Sequence, residues 1–311
     1  MSGYTNAMNT AVIDIGTNTL LLLVVDEQQH RQLDLCRFGR LGKGLDATGR
    51  LADDAIARSL DICRDFRRMI DQHNVGSVHA IATQALREAV NRDAFIEPAE
   101  RILGASIEII SGAVEAELAY TAVAHTFPDL TSAYVVVDVG GGSSEFIVSD
   151  GTAVVSATSL PIGAVRLSER HLQHDPPTAR EIAALDADID AHLASLALPT
   201  GVPLVGTAGT ATTMAAVTLG MRNYDPDAVT GVRLNPQTVT TLRAGLLAAT
   251  TAERSGMPGI AAERADVIHA GVAIYARALA RMQAPVMLTC DRGIRWGVAY
   301  RLASQRPLTI S

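Results

Sequence analysis

The feature that most constrains the fold is an internal repeat. Val12-Ile13-Asp14-Ile15-Gly16-Thr17-Asn18-Thr19 returns 124 residues later as Val136-Val137-Asp138-Val139-Gly140-Gly141-Gly142-Ser143-Ser144. Each copy is followed by an apolar run, Leu20–Val25 in the first and Phe146–Val148 in the second. The unit reads as strand, Asp-x-Gly turn, small hydroxyl or amide residues, strand. Its glycines let backbone N–H groups approach a ligand closely and form an anion-binding concavity. The aspartate at the strand end can hold a hydrated cation bridging to that anion. A single copy reads more readily as an ordinary hairpin turn, because glycine beside Asn or Thr is common turn chemistry. Two copies, one opening each half of a 311-residue chain, are explained most economically by a duplicated domain with facing phosphate loops.

The remaining pattern alternates strand and helix. Strands are expected at 10–15, 20–26, 31–38, 76–82, 105–110, 134–138, 145–149, 152–160, 203–206 and 286–289. Helices are expected at 52–73, 84–103, 112–125, 178–196, 210–220, 236–248, 261–282 and 293–303. At roughly 150 residues per domain the length suits two domains. The turn Phe127-Pro128-Asp129 is the expected boundary, giving lobes of 1–126 and 127–311, with the last helix free to pack back on the first.

Composition excludes several classes. The longest apolar run has six residues, Leu20–Val25, far short of the ~20 that cross a membrane. Met1–Thr10 lacks the basic-then-apolar plan of a signal peptide, which points to the cytoplasm. The net charge of −7 offers nothing global to nucleic acid or an anionic membrane. Lys43 is the only lysine and lies in Gly42-Lys43-Gly44, so there is no P-loop, and any polyphosphate bound here would have to be held by arginine, backbone amides or a metal ion. Cys36, Cys63 and Cys290 read as small core residues. His171 and His174 beside Asp175 read as a helix end rather than a metal pair, and His269 reads as a satisfied core histidine.

Further blocks follow in order: Leu41-Gly42-Lys43-Gly44-Leu45, Ala82-Thr83-Gln84-Ala85-Leu86-Arg87-Glu88-Ala89, Ile110-Ser111-Gly112-Ala113-Val114-Glu115-Ala116, Gly206-Thr207-Ala208-Gly209-Thr210 and Glu263-Arg264-Ala265-Asp266-Val267-Ile268. With the two Asp-Gly loops they resemble the exopolyphosphatase and guanosine pentaphosphate phosphatase family, over residues 10 to 303. The resemblance implies an α/β protein of two actin-like (ribonuclease H-like) lobes with the active site in the cleft between them. It implies hydrolysis of the terminal phosphate of polyphosphate, or of the 5′-phosphate of guanosine pentaphosphate, with Mg²⁺ (Mn²⁺ in its place as the alternative). Glu115 would be the general base. The terminal phosphate would be cradled by Thr17, Asn18, Thr19, Gly140, Gly141, Gly142, Ser143, Gly209 and Thr210, with Arg87 and Arg264 as cationic partners. Asp14, Asp138 and Glu145 would serve the metal.

Each role has a plainer reading: Glu115 as a first-turn helix acid, Arg87 as a surface ion-pair partner. Departures from the family pattern are Leu20–Leu23 where an arginine is common, Val114 where a second acid is usual, Ala208 for a glycine and Trp296 for a Glu. Longer members also carry an added C-terminal helical domain. The expectation is therefore a cytoplasmic exopolyphosphatase favouring short chains, with a homodimer among its possible assemblies. Guanosine pentaphosphate hydrolysis, a kinase of the same superfamily, and a non-catalytic regulator binding guanosine tetraphosphate or polyphosphate are the alternatives.

Overall fold

The computed structural model describes residues 8–304; the first seven residues of the Met1–Thr10 leader reading lie outside the described residues. The chain divides into two compact units, residues 1–114 with 294–311, and residues 115–293. The division falls inside the helix Gly112–Thr126 rather than at the Phe127 turn, and the last helix, Ile294–Ala303, belongs with the first unit.

The first unit is built on β1 (Asn9–Ile15), β2 (Leu20–Val25), β3 (Arg31–Arg37), β4 (Val75–Ala82) and β5 (Ile107–Ile109), in the spatial order β3-β2-β1-β4-β5. β1 runs antiparallel to β2 and parallel to β4. Helices cover both faces of such a sheet, so its central strands read as unbroken apolar runs. Helix Asp53–Asp71 buries Ala55, Ile56, Ile62, Cys63, Phe66 and Ile70, a stripe at helical spacing. The closing helix packs on β1 and β2, and Arg295 forks onto Asp34 of β3 with two 3.0 Å hydrogen bonds. This bidentate pair fixes the helix to the sheet edge.

The second unit repeats the plan with β6 (Tyr134–Val139), β7 (Ser144–Ser149), β8 (Val154–Leu160), β9 (Leu204–Thr207), β10 (Arg233–Leu234) and β11 (Met287–Thr289). Its order is β10-β11-β9-β6-β7-β8. Without the short antiparallel β10 it reads β8-β7-β6-β9-β11, the same order and strand directions as the first sheet. The duplication seen in two loops thus extends to the sheets.

Several expectations are corrected. Helix Ala164–His171 was not foreseen, because eight residues give only two turns of periodicity. The expected helix 261–282 is a 3₁₀ turn, Ala262–Arg264, followed by helix Ile268–Met282, so the Glu263-Arg264 block lies in a turn. Cys36 is exposed on the edge strand, whereas Cys63 and Cys290 are buried and their thiols are pushed up to about 12 and about 11 by burial.

His269 is in the core, but it is not satisfied. It is 3% exposed and its Nδ1 has no hydrogen-bond partner among the described residues. Burial, then the charge of Arg254, lowers its pKa from 6.5 to about 3. Between those values the unfolded chain binds a proton that the folded chain refuses, so stability falls as pH drops below 6.5. At ~1.4 kcal/mol per pH unit, the penalty at pH 5 is about 2 kcal/mol. Replacing His269 with Leu should remove it: urea unfolding at pH 7 and pH 5 is expected to show a stability loss smaller by about that amount. An equal loss in both proteins would contradict the assignment.

Candidate functional site

Both copies of the repeat form the same four-residue hairpin. The Gly16 N–H donates to the Thr19 carbonyl at 2.9 Å, and the Gly140 N–H to the Ser143 carbonyl at 3.0 Å. In the first copy, the carbonyls of Thr17 and Asn18 accept from the Gly42 and Arg40 amides, each at 2.9 Å. In the second, the carbonyls of Gly140 and Gly141 accept from Ala164 and Val165 at 2.9 and 2.8 Å. In a trans peptide the carbonyl of one residue and the N–H of the next point opposite ways. The amides of Asn18 and Thr19, and those of Gly141 and Gly142, are therefore turned away from these anchoring segments. Each loop presents successive N–H groups on its outer side, the arrangement an anion requires.

The anchors explain the scattered glycine blocks. A Cβ on Gly42 would stand 2.4 Å from Thr17 Cγ2 and 3.4 Å from Ala85 Cβ. A Cβ on Gly163 would stand 2.5 Å from the Gly141 carbonyl carbon. The Thr17 hydroxyl donates to Gln84 Oε1 at 2.9 Å, so this side chain ties its loop to the Thr83-Gln84 block. Arg87 donates from Nη1 to the Ile110 carbonyl at 2.8 Å, holding the segment that leads into Ser111-Gly112.

The acids gather in the second unit. Asp138 faces Glu145 across β6 and β7, and faces Thr207 across β6 and β9. Glu145 in turn faces Ser159 on β8. Residues in register share a sheet face, so Thr207, Asp138, Glu145 and Ser159 form one polar row over four strands. Glu145 is fully buried; Ser159 donates to its Oε1 at 2.7 Å, and its Oε2 is buried without a hydrogen bond among the described residues. Burial first, then the charges of Glu115 and Asp138, push the Glu145 carboxyl well above its usual range, against the pull of the Ser159 and Ser143 hydroxyls. Glu115, 7% exposed in the first turns of its helix, thus lies close enough to repel Glu145.

On the other side of Asp138, the first turn of helix Ala208–Thr218, which follows β9 directly, carries Gly209 against the Arg264 guanidinium: a Cβ on Gly209 would collide with Nη1. Thr210 is 3% exposed and lies against Gly271, where a Cβ would meet its Oγ1 at 2.6 Å. The Tyr275 hydroxyl lies 2.9 Å from the Val137 carbonyl and 2.8 Å from that of Thr207, one proton bridging the ends of β6 and β9.

Glu115, Asp138, Glu145, Gly140–Ser143, Gly209, Thr210 and Arg264 therefore belong to the second unit, and Asp14, Thr17–Thr19 and Arg87 to the first. Ser159 and Thr207, which only cross-strand pairing reveals, and Gln84, which the hydrogen bond from Thr17 reveals, were not foreseen as parts of these sites. Among the described residues no group of three or more His, Cys, Asp or Glu side chains is arranged as a metal cage. Asp138 and Glu145, paired in register and with Glu145 Oε2 buried without a hydrogen bond among the described residues, are the carboxylates that could take a cation keeping most of its water, as Mg²⁺ does. His171 and His174 bind Asp188 and Glu181 at 2.7 and 2.9 Å, which accounts for both.

Residues 24–306 match the Ppx/GppA phosphatase family. The chain is 36% identical over 290 residues to exopolyphosphatase 2 of Mycobacterium tuberculosis, covering 87% of this chain and 89% of that protein. It is 30% identical over 304 residues to a guanosine-5′-triphosphate,3′-diphosphate pyrophosphatase of Vibrio atlanticus, covering 95% of this chain but 59% of that protein's length. The crystal structure of an exopolyphosphatase from Cytophaga hutchinsonii superposes with a TM-score of 0.90 at 28% identity, over 97% of this chain and all of that one. No helix among the described residues is long and apolar enough to cross a membrane.

The departure at Ala208 has a backbone consequence. Its φ is 59°, in the left-handed region that favours glycine. An L-residue there costs roughly 1–2 kcal/mol, and glycine's extra freedom in the unfolded chain costs roughly 0.5–1. Ala208→Gly should therefore stabilise the protein by about 0.5–1 kcal/mol, seen as a higher urea midpoint at unchanged slope. A midpoint that stays put or falls would mean that the loop gains nothing from release.

Proposed function

The chain belongs to the Ppx/GppA phosphatase family, and we propose that it hydrolyses the terminal phosphate of inorganic polyphosphate. It is an enzyme of the phosphoric anhydride hydrolase class. The observation that carries the finer reading is the placement of Glu115, Asp138 and Glu145 around a loop with outward-turned glycine amides. Phosphoryl transfer asks little covalent help of a protein; it asks for positioning and charge neutralisation.

Glu115 is the general base: its carboxylate accepts a proton from the water that attacks the terminal phosphorus. The amides of Gly141 and Gly142 bind oxygens of the terminal phosphate, and Arg264 neutralises charge beside Gly209. Asp138 and Glu145 are the residues that would hold the Mg²⁺ this chemistry calls for, directly or through water. When bound, that ion neutralises phosphate charge that these acids would otherwise repel.

Guanosine pentaphosphate is the second reading, favoured by the likeness to the Vibrio protein. Phosphate release from polyphosphate, guanosine pentaphosphate and ATP, with and without Mg²⁺, tests the reading. Release from ATP alone, or release independent of a divalent cation, would overturn it.

Two outcomes are expected. Glu115→Gln keeps the side chain's size but cannot take the proton, so kcat should fall by roughly 10² or more while substrate binding survives. Near-parental turnover would refute the base. The second outcome concerns chain length. Long polyphosphate carries about one charge per phosphate, whereas this chain has net charge −7 and one lysine. Charges beyond ~8 Å are screened at physiological salt. The enzyme should favour short chains and cleave distributively, so end-labelled long chains should shorten together on a gel. Full-length chains passing to small products without intermediates would refute it.

A further inference from the structure

The Thr207 side chain has no structural employment. It is fully buried at the end of β9, and its Oγ1 has no hydrogen-bond partner among the described residues. A buried hydroxyl left without a partner destabilises the fold. Packing does not require it either, because the duplicated lobe is an internal control. There the row equivalent to Thr207, Asp138, Glu145 and Ser159 is Ile81, Asp14, Leu21 and Cys36. An isoleucine fills the same sheet position, buried to the same degree, with no hydroxyl. Only the lobe whose row continues into Glu145 carries hydroxyls at its two flanks.

Ser159, at one flank, already donates to Glu145. Thr207, at the other, stands beside Asp138. We propose that Thr207 is a positioning residue of the phosphatase: its hydroxyl donates to the Asp138 carboxylate when a divalent cation is bound, presenting the other carboxylate oxygen to that cation. This rests on the reading that Asp138 serves the metal. Strand register places the two side chains on one face about 5 Å apart at Cα, and a rotamer adjustment at Thr207 suffices to bring a hydroxyl to a carboxylate oxygen. Such outer hydrogen bonds orient a ligating carboxylate and commonly change metal affinity 10–100-fold when removed.

The experiment compares Thr207→Val, Thr207→Ser and Asp138→Asn with the parent. Free Mn²⁺ is titrated by electron paramagnetic resonance, and thermal unfolding is followed without metal. Thr207→Val should weaken Mn²⁺ binding about tenfold or more, yet unfold at the same or a higher temperature in the metal-free state. Thr207→Ser should bind like the parent. With saturating metal, KM for polyphosphate should be nearly unchanged in Thr207→Val, the loss appearing in the metal concentration needed for half-maximal activity. A merely structural threonine predicts the reverse: a lower melting temperature and parental Mn²⁺ affinity, and that result overturns the proposal. Should Thr207→Val not fold, Thr207→Ala against Thr207→Ser gives the same comparison. Asp138→Asn separates the two levels. If it abolishes Mn²⁺ binding while Thr207→Val leaves binding intact, the Thr207 proposal alone fails. If it leaves binding intact, the assignment of Asp138 to the metal fails first.

Discussion

A fully buried carboxylate flanked by two others is the constraint on which the second unit depends. Glu145 is removed from water and feels the charges of Glu115 and Asp138. Taking a carboxylate out of water is costly unless it is hydrogen-bonded, protonated or paired with a cation. The surrounding sequence supplies part of each remedy. Ser159 bonds to one oxygen, the carboxyl's proton affinity is raised, and the glycine loop beside it turns N–H groups outward. An anion on those amides and a cation on these acids would stabilise each other. Neither alone resolves the local electrostatics as well as both together.

Rigidity is the second requirement, and it comes from groups that hold strand ends rather than from the acids. The Tyr275 hydroxyl bridges the carbonyls of Val137 and Thr207, each one residue before or at the row that carries Asp138. Burial raises its pKa, the Asp138 charge adds to that, and the proton stays in the bridge. Arg254, 1% exposed, donates from Nε to the Ala265 carbonyl at 2.6 Å and from Nη1 to the Leu246 carbonyl at 2.9 Å. It thereby fixes the turn from which Arg264 reaches Gly209. Glycines at 163, 206 and 209 let these supports approach more closely than any side chain would allow.

What the sequence revealed was local. The hairpins could be read because strand, turn and strand are contiguous, and Asp14 and Asp138 fall at the same place in each. The Leu20–Val25 run could be read as a buried strand because its length and composition admit little else. Ser159 and Thr207 could not be found that way: they lie 14 and 62 residues from Glu145 in the chain and become its row-mates only through register. His269 failed for a related reason. Its apolar helix face was legible, but whether Nδ1 finds a partner depends on tertiary neighbours that the helix pattern does not reveal. The helix Ala164–His171 was invisible because its first amides bond to the loop at 140–141, a tertiary contact that substitutes for intrinsic helical length.

The two lobes keep one scaffold and differ in the residues beside its aspartate. Both keep the hairpin, the aspartate at its base and the outward amides. At the three positions beside that aspartate, the first lobe has Ile81, Leu21 and Cys36, and the second has Thr207, Glu145 and Ser159. The fold tolerates either set, because strand pairing runs through the backbone and each set fits the same sheet face. In the first lobe the aspartate stands between two apolar row-mates, Ile81 and Leu21. An aspartate between Thr207 and Glu145 has a second acid opposite and a hydroxyl alongside, so charge and orientation are set together. Strand register thus gives both lobes the same hairpin and aspartate, and sets an acid and two hydroxyls in that aspartate's row in the second lobe alone.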